Sequence, residues 1–436
     1  ETKKRTQIEE QDRGIYDIKN EFKFKSKTEK GLTEEIVTQI SREKNEPDWM
    51  LEIRLASLKK FYELDNPTWA PNLDEVNIDE ITTYIRPDAD LVEDWDQVPE
   101  DIKNTFDMLG IPEAEREKNL SGVGAQYDSE VVYHNIQQDL LDQGVIYTDF
   151  ETAVREYPDI VRQYFMKCIT NADHKYAALH YAVWSGGSFV YVPKGVNVNV
   201  PLQSYFRLNA PGAGQFEHTL IIIEEGAYCH LIENWSRNMY NLNTKRCIVE
   251  KDGKIEWVSG SFGSKVSCLY PMSILRGENA KSEFTGITFA GKGQYLDTGT
   301  KVVHAAPNTS STVNSKSISK DGGVAIYRGL VKMTKNATGS KSTVSCESLM
   351  LDQESRSDTI PVIDTATQDV DLGHEAKIGR IDDEVIFYLM SRGISEAEAK
   401  SMVVRGFAEP IAKELPLEYA VEMNNLINLE LEGTIG

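Results

Sequence analysis

The side chains with the widest chemical reach in this chain are its five cysteines: Cys168, Cys229, Cys247, Cys268 and Cys346. A thiolate attacks sulfur and carbon electrophiles and is a soft ligand for metals. The five are odd in number, widely spaced, and never form Cys-x-x-Cys. That pattern argues against a disulfide framework and against a preformed four-thiolate metal site. It fits a reducing, cytoplasmic compartment. Each cysteine also has a plainer reading, since a free cysteine often serves as a small buried apolar residue. No Gly-x-x-x-x-Gly-Lys-Ser/Thr phosphate loop occurs, so ATP hydrolysis is expected to belong to another chain.

The bulk composition narrows the partners. Lys and Arg total 47 against 69 Asp and Glu, a formal net charge of −22. A field of that sign disfavours nucleic acid and anionic membranes. The longest strongly apolar run, Leu220-Ile221-Ile222-Ile223, is far short of the roughly 20 residues that span a bilayer. The first residues, with Lys3, Lys4, Arg5, Glu9 and Glu10, lack the apolar centre of a secretory signal. The 436 residues, 40% of them apolar, suffice for two or three packed units.

Three textures follow one another along the chain. Residues 1–30 read as a flexible tail and 31–175 as a mainly helical region. There Thr33 is placed to cap a helix carrying Ile36, Val37 and Ile40, and Pro47 and Pro158 suit the first turns of two more. Residues 176–372 are short apolar or alternating runs, each ended by Gly, Asn or Asp, with no helical pattern between them. A doubly wound sheet is therefore disfavoured, while a sandwich, a barrel and a solenoid stay open. Ser, Thr and Asn around Asn308 to Ser319 suit ladders of like residues and favour a β-helix, with coils stacked about 4.8 Å apart. Residues 373–436 return to helix. Gly393 marks a stop, Ser395-Glu396-Ala397-Glu398 forms a capping box, and a last helix runs from Pro416 with Tyr419, Met423, Leu426 and Ile427.

Many separate words of this sequence resemble the SufB/SufD family, and its SufB branch in particular. They include Cys346-Glu347-Ser348-Leu349, His374-Glu375-Ala376-Lys377, Asn234-Trp235-Ser236 and Thr244-Lys245-Arg246. Ala305-Ala306-Pro307-Asn308, Phe387-Tyr388-Leu389-Met390-Ser391-Arg392-Gly393, Glu46-Pro47-Asp48-Trp49-Met50 and Arg54 extend the likeness beyond about residue 30. The resemblance implies an α+β chain with a central right-handed parallel β-helix between helical regions. It implies a non-enzymatic scaffold for iron–sulfur cluster assembly, working with a paralogue, SufD, and an ATPase, SufC. SufC would dock at about 382–410 and SufD on the C-terminal part of the β-helix. Sulfur would come from a cysteine desulfurase through a SufE- or SufU-type carrier. A reduced flavin accompanies the family's complex, though no flavin motif stands out here, and a homodimer stays open where SufD is absent.

The resemblance also implies roles for particular residues. Cys346 corresponds to the cysteine that holds the nascent cluster, with His374 and Glu375 as harder ligands or proton carriers. One thiolate with one or two such partners is an incomplete site, which suits a protein that must release its product, since stable clusters usually have four cysteines. Arg207, Asn209, Glu233, Trp235 and Lys245 match the family's sulfur-transfer channel, whose positive groups would stabilise an anionic persulfide. Two departures stand out. Glu233 replaces a usual glutamine. The family also carries an extra stretch between Glu224-Glu225-Gly226 and Ala227-Tyr228-Cys229, with a Glu-Gly-Cys word whose cysteine is the candidate sulfur acceptor, and that stretch is absent. Neither Cys229 nor Cys247 sits in such a word.

Two competing readings remain at this stage. A SufD-like paralogue would share the fold and partners but differ in its cysteine words. A polysaccharide-degrading β-helix enzyme would line carboxylates along one face, and the free cysteines and missing secretory signal count against it.

Overall fold

Residues 23–68, 77–107, 122–207, 213–236, 240–262, 265–414 and 427 are described by a computed structural model of the protein. Within them the alternating runs of the middle region stack as parallel strands in two facing sheets, a β-solenoid of about six turns. In one sheet Tyr228 pairs with Lys254, Lys254 with Lys281, Lys281 with Ser310, and Ser310 with Lys341. Side chains that meet across adjacent coils lie 26 residues apart at Glu250 and Arg276, and 31 apart at Ser311 and Ser342.

Local sequence explains the stacking. In Lys281–Ala290 and Ser340–Met350 exposed and buried residues alternate, the two-residue period of a strand with one dry face. The coils turn at a corner occupied in succession by Gly226, Asp252, Asn279, Asn308 and Gly339, all with positive φ. These types tolerate the left-handed region best. Each corner amide donates to a carbonyl of the next coil, as Asn279 N does to Pro307 O at 3.2 Å and Asn308 N to Thr338 O at 2.9 Å.

The lumen is filled by Val198, Leu202, Ile221, Leu231, Val249, Ile255, Trp257, Phe284, Val313 and Val344. Several of its buried hydroxyls meet in ladders, as the Ser and Thr content predicts. Ser311 donates to Ser342 at 2.8 Å, and Ser317 meets Ser348 at 2.7 Å. His304 bridges Thr309 at 2.7 Å and Ser311 at 2.9 Å.

The N-terminal helices pack on the outer face of the second sheet through Met50, Phe150, Val161, Trp184, Leu220, Ile222 and Ile248. Thr33 caps Glu34–Glu43, and Pro158 opens Pro158–Tyr164. Pro47 sits one position earlier than read, at the cap of Asp48–Glu63. Arg54 on that helix is fully buried, donates twice to Glu46 at 2.8 and 2.5 Å, and reaches the carbonyls of Ala182 and Trp184. Removing it would strand a buried carboxylate, a loss of about 3–5 kcal/mol. The helices Asp383–Ser391 and Glu396–Glu414 rest on the solenoid through Ile386, Ala399, Val404 and Ala408, and the Ser395–Glu398 capping box forms.

Three boundaries differ from the sequence reading. Phe24–Lys27 is already a strand, paired with Ile85–Pro87, so the tail does not extend to residue 30. The region up to 175 is less helical than expected, because the hairpin Gly122–Tyr127/Glu130–Ile136 extends one sheet and Ile146–Asp149 the other. The solenoid runs on to Arg380, since Val370–Arg380 pairs in parallel with Ser340–Met350. Residues 373–380 therefore belong to the last coil. The helix expected from Pro416 lies outside the described residues, apart from buried Ile427. No helix among the described residues is long and apolar enough to cross a membrane.

Burial holds several imidazoles neutral. It lowers His304 and His174 to about 4 and His134 to about 3, from an ordinary 6.5. A depressed imidazole contributes stability that is fully present above its unfolded value and is lost as pH falls toward the folded one. Unfolding free energy from urea melts is thus expected to drop between about pH 6.5 and pH 4, with His304 alone accounting for up to about 3 kcal/mol. His304→Gln should flatten that slope.

Candidate functional site

Cys346 lies on the strand Ser340–Met350, whose even-numbered residues Ser342, Val344, Cys346 and Ser348 face the lumen. Its neighbour on the last strand is Ala376, and His374 pairs with Val344. Two residues of offset on the same face bring the His374 Nε2 to 3.9 Å from the Cys346 Sγ. Metal–sulfur and metal–nitrogen bonds of about 2.3 and 2.1 Å on one tetrahedral ion would place S and N about 3.6 Å apart. The pair is within a few tenths of an ångström of that spacing.

The thiol is only 2% exposed, and burial pushes it up to about 12. The hydroxyl of buried Tyr327 opposes that rise by favouring the thiolate. The resting group is thus a protonated thiol with the His374 Nε2 3.9 Å from its sulfur. Deprotonation is the step any sulfur transfer or metal binding here requires.

Glu375 does not join them. Strand alternation turns it to the other face, where it pairs with Ser345 in register and forms an ion pair with Lys377 at 3.0 Å, both well exposed. Among the described residues no group of three or more His, Cys, Asp and Glu could hold a metal ion. The arrangement offers two ligands at the last coil, beyond which no strand pairs among the described residues.

The channel residues are placed unevenly. Lys245 is fully buried and paired at 2.6 Å with the equally buried Glu217, its ammonium 4.4 Å from the Phe206 ring centre. Part of its charge is therefore already met. Glu233 and Trp235 lie on Tyr228–Ser236, with Glu233 in register with Ser204 and Ser259, and Trp235 with Phe206 and Ser261. Arg207 pairs in register with Ser236, and Asn209 is outside the described residues.

One row of the first sheet runs Glu233, Ser259, Gly286, Ser315, Cys346. It joins the expected channel to the thiol across four strand steps, roughly 19 Å, by way of small residues. Sequence reasoning missed this row and Tyr327. Stepping back one coil length at a time from Cys346 would have found the row.

Burial acts on the other thiols in the same direction as on Cys346. Burial raises Cys229 to about 12, Cys168 to about 11 and Cys247 well above its ordinary value. Cys229 and Cys247 are fully buried in the lumen.

Comparison with known proteins places this geometry. A profile described as "SUF system FeS cluster assembly, SufBD core domain" matches residues 231–407, and "SufBD protein N-terminal region" matches 42–204. The chain belongs to the SufBD family of iron–sulfur cluster assembly proteins. "Iron-sulfur cluster assembly SufBD family" proteins of Staphylococcus aureus strains MRSA252 and USA300 are 50% identical over 443 residues, covering 94% of this chain and 95% of theirs. A Staphylococcus saprophyticus protein of the same description matches equally. The aligned length exceeds the 436 residues of this SufBD chain, so these relatives carry residues that it does not.

At the position where the sequence reading missed a stretch, the fold closes as an ordinary corner. Ala227 N donates to Glu224 O at 3.0 Å and Gly226 N to Lys251 O at 2.8 Å, and Tyr228 pairs on both sides, with Asn197 and with Lys254.

Tyr327→Phe removes the donor that favours the Cys346 thiolate. Iodoacetamide labelling of Cys346 at fixed pH, read by mass spectrometry of the peptide, is expected to slow by up to about tenfold, the effect of one pKa unit.

Proposed function

We propose that this SufBD protein is the SufB-type scaffold on which an iron–sulfur cluster is built and from which it is released. The observation that carries the reading is the approach of Cys346 and His374 at the open last coil of the solenoid. A persulfide sulfur delivered to Cys346 and an iron held by Cys346 and His374 would leave further coordination positions for a partner to fill. The cluster is cargo on this reading, and two protein ligands hold it weakly enough to pass it on.

The same end supplies surfaces for partners. The last two strands, Arg356–Thr365 and Val370–Arg380, expose Ile360, Val362, Ile363 and Ile378 beside an edge that no further strand covers among the described residues. Long apolar edges of this kind call for cover, and a SufD paralogue is the proposed occupant, with a second copy of this chain where SufD is missing. Phe387 at 73% exposure, with Tyr388, Met390 and Met402, forms the proposed SufC docking surface at 382–410. ATP would act only through SufC, sulfur would arrive from a SufE- or SufU-type donor, and a reduced flavin would supply electrons in the complex. The setting is cytoplasmic.

One observation favours a SufD-like reading instead: relatives carry residues this chain lacks, and the sulfur-accepting word belongs to the missing stretch. Anaerobic reconstitution with iron and sulfide, in the presence of the co-purified ATPase, separates the two by visible absorption. A scaffold is expected to develop a charge-transfer band that Cys346→Ser abolishes and His374→Ala reduces several-fold, in the range typical of losing a metal-site group. A band indifferent to Cys346 would decide for the SufD-like role.

A further inference from the structure

The small-residue row that leads to Cys346 is interrupted at one place. Its member Gly286 stands in mid-strand, within Lys281–Ala290, and its backbone lies outside the left-handed region. Backbone freedom is therefore not what calls for a glycine there. Room is. A Cβ at this position would lie 2.7 Å from Cε1 and 3.0 Å from Cζ of Phe284, two residues earlier on the same face. The Phe284 ring is thus laid along its own strand, over the glycine, and a glycine inside a strand often marks such a close approach.

Phe284 belongs to the buried lumen cluster and is 6% exposed. Its register neighbours are Trp257 and Val313, and the Trp257 indole is fixed by donating to Ser273 Oγ of the facing sheet at 3.1 Å. On the other side of Gly286 the Thr288 hydroxyl meets that of Thr298 in the facing sheet at 3.2 Å. The strand Lys281–Ala290 therefore flanks the row with an aromatic ring on one side and a sheet-to-sheet hydroxyl bridge on the other. The neighbouring strands carry only small hydroxyl residues in register with Gly286 and Thr288. These are Ser259 and Ser261 on one side and Ser315 and Ser317 on the other, each between 4 and 9% exposed.

We propose that Phe284, seated on Gly286, is a barrier across the lumen that leaves Cys346 reachable from the last coil alone. Ser315 lies between the ring and Cys346, and Ser259 lies beyond the ring. A hydrosulfide or a ferrous ion would have to shed its hydration to cross the ring, a cost that an apolar side chain does not repay. The biological purpose of the barrier rests on the scaffold reading. On that reading a carrier must present its sulfur at the last coil, and sulfur released into the upstream lumen would not reach the thiol.

Thiol accessibility in the full chain tests the barrier. Ser315→Cys and Ser259→Cys, both nearly isosteric, place a reporter on either side of the ring. Labelling with methyl methanethiosulfonate under native conditions is read by mass spectrometry. Rates are normalised to Cys247, a fully buried lumen thiol on the second sheet that reports global opening. The Ser315→Cys thiol is expected to label at least about ten times faster than the Ser259→Cys thiol. Phe284→Ala should erase that difference by speeding Ser259→Cys while leaving Ser315→Cys unchanged, whereas a ring that only fills volume would loosen both alike. The comparison with Phe284 in place needs no variant of the ring, so it stands even where Phe284→Ala does not fold. Equal labelling of the two reporters with Phe284 in place, or a Ser259→Cys rate that Phe284→Ala leaves unchanged, would overturn the proposal. Neither rate depends on cluster formation, so failure of the barrier and failure of the scaffold reading are separate results.

Discussion

Parallel pairing of each coil on the next is the constraint from which the rest of this structure follows. Once Lys281 pairs with Ser310 and Ser310 with Lys341, every inward position of one coil has a fixed neighbour in the next. Residues about a coil apart in sequence become contacts, and others do not. Cys346 and His374, 28 residues apart, meet because His374 pairs with Val344 on the same face. A slip of one residue in Val370–Arg380 would turn the imidazole outward and bring Glu375 in. The candidate site is in this sense a property of strand register.

The register also sets the reactivity of the thiol. A sulfur inside a packed solenoid is kept protonated by its surroundings, so it is protected as well as positioned. Beyond Val370–Arg380 no further strand pairs among the described residues. Ala376, the register neighbour of Cys346, is exposed although it continues the inward row. Tyr327 then acts against burial by favouring the thiolate, and the His374 imidazole stands 3.9 Å from the sulfur. The same end exposes the apolar edges that call for a partner, so docking and chemistry share one location.

Much of this was legible in the sequence because it is local. Alternation in Ser340–Met350, the capping pair Ser395 and Glu398, and the break at Gly393 are decided within a few residues. The words around Cys346 and His374 were legible by resemblance. What escaped depends on distant pairing. Residues 373–380 read as the start of a helical region, and only their pairing with Ser340–Met350 makes them strand. Glu375 looked equivalent to His374 because adjacent residues look alike on paper, while strand alternation sends them to opposite faces. Lys245 read as an available positive group, and its partner Glu217 lies just before the neighbouring strand His218–Ile223.

Register further explains how a chain shorter than its relatives can keep one continuous solenoid. Each coil presents nearly the same hydrogen-bonding interface above and below, so removing a whole coil lets the flanking coils pair directly. Removing part of one would break the alternation of inward and outward residues in every later strand. At Glu224–Ala227 the corner is closed; Tyr228 pairs with Lys254 in unbroken register, while toward Asn197 the register shifts between Cys229 and Leu231. Loss of a complete coil there would shorten the lumen by about 4.8 Å and leave the Cys346 end unchanged. On the proposed scaffold reading, a sulfur-accepting residue carried by such a coil is lost while the approach of Cys346 and His374 is kept.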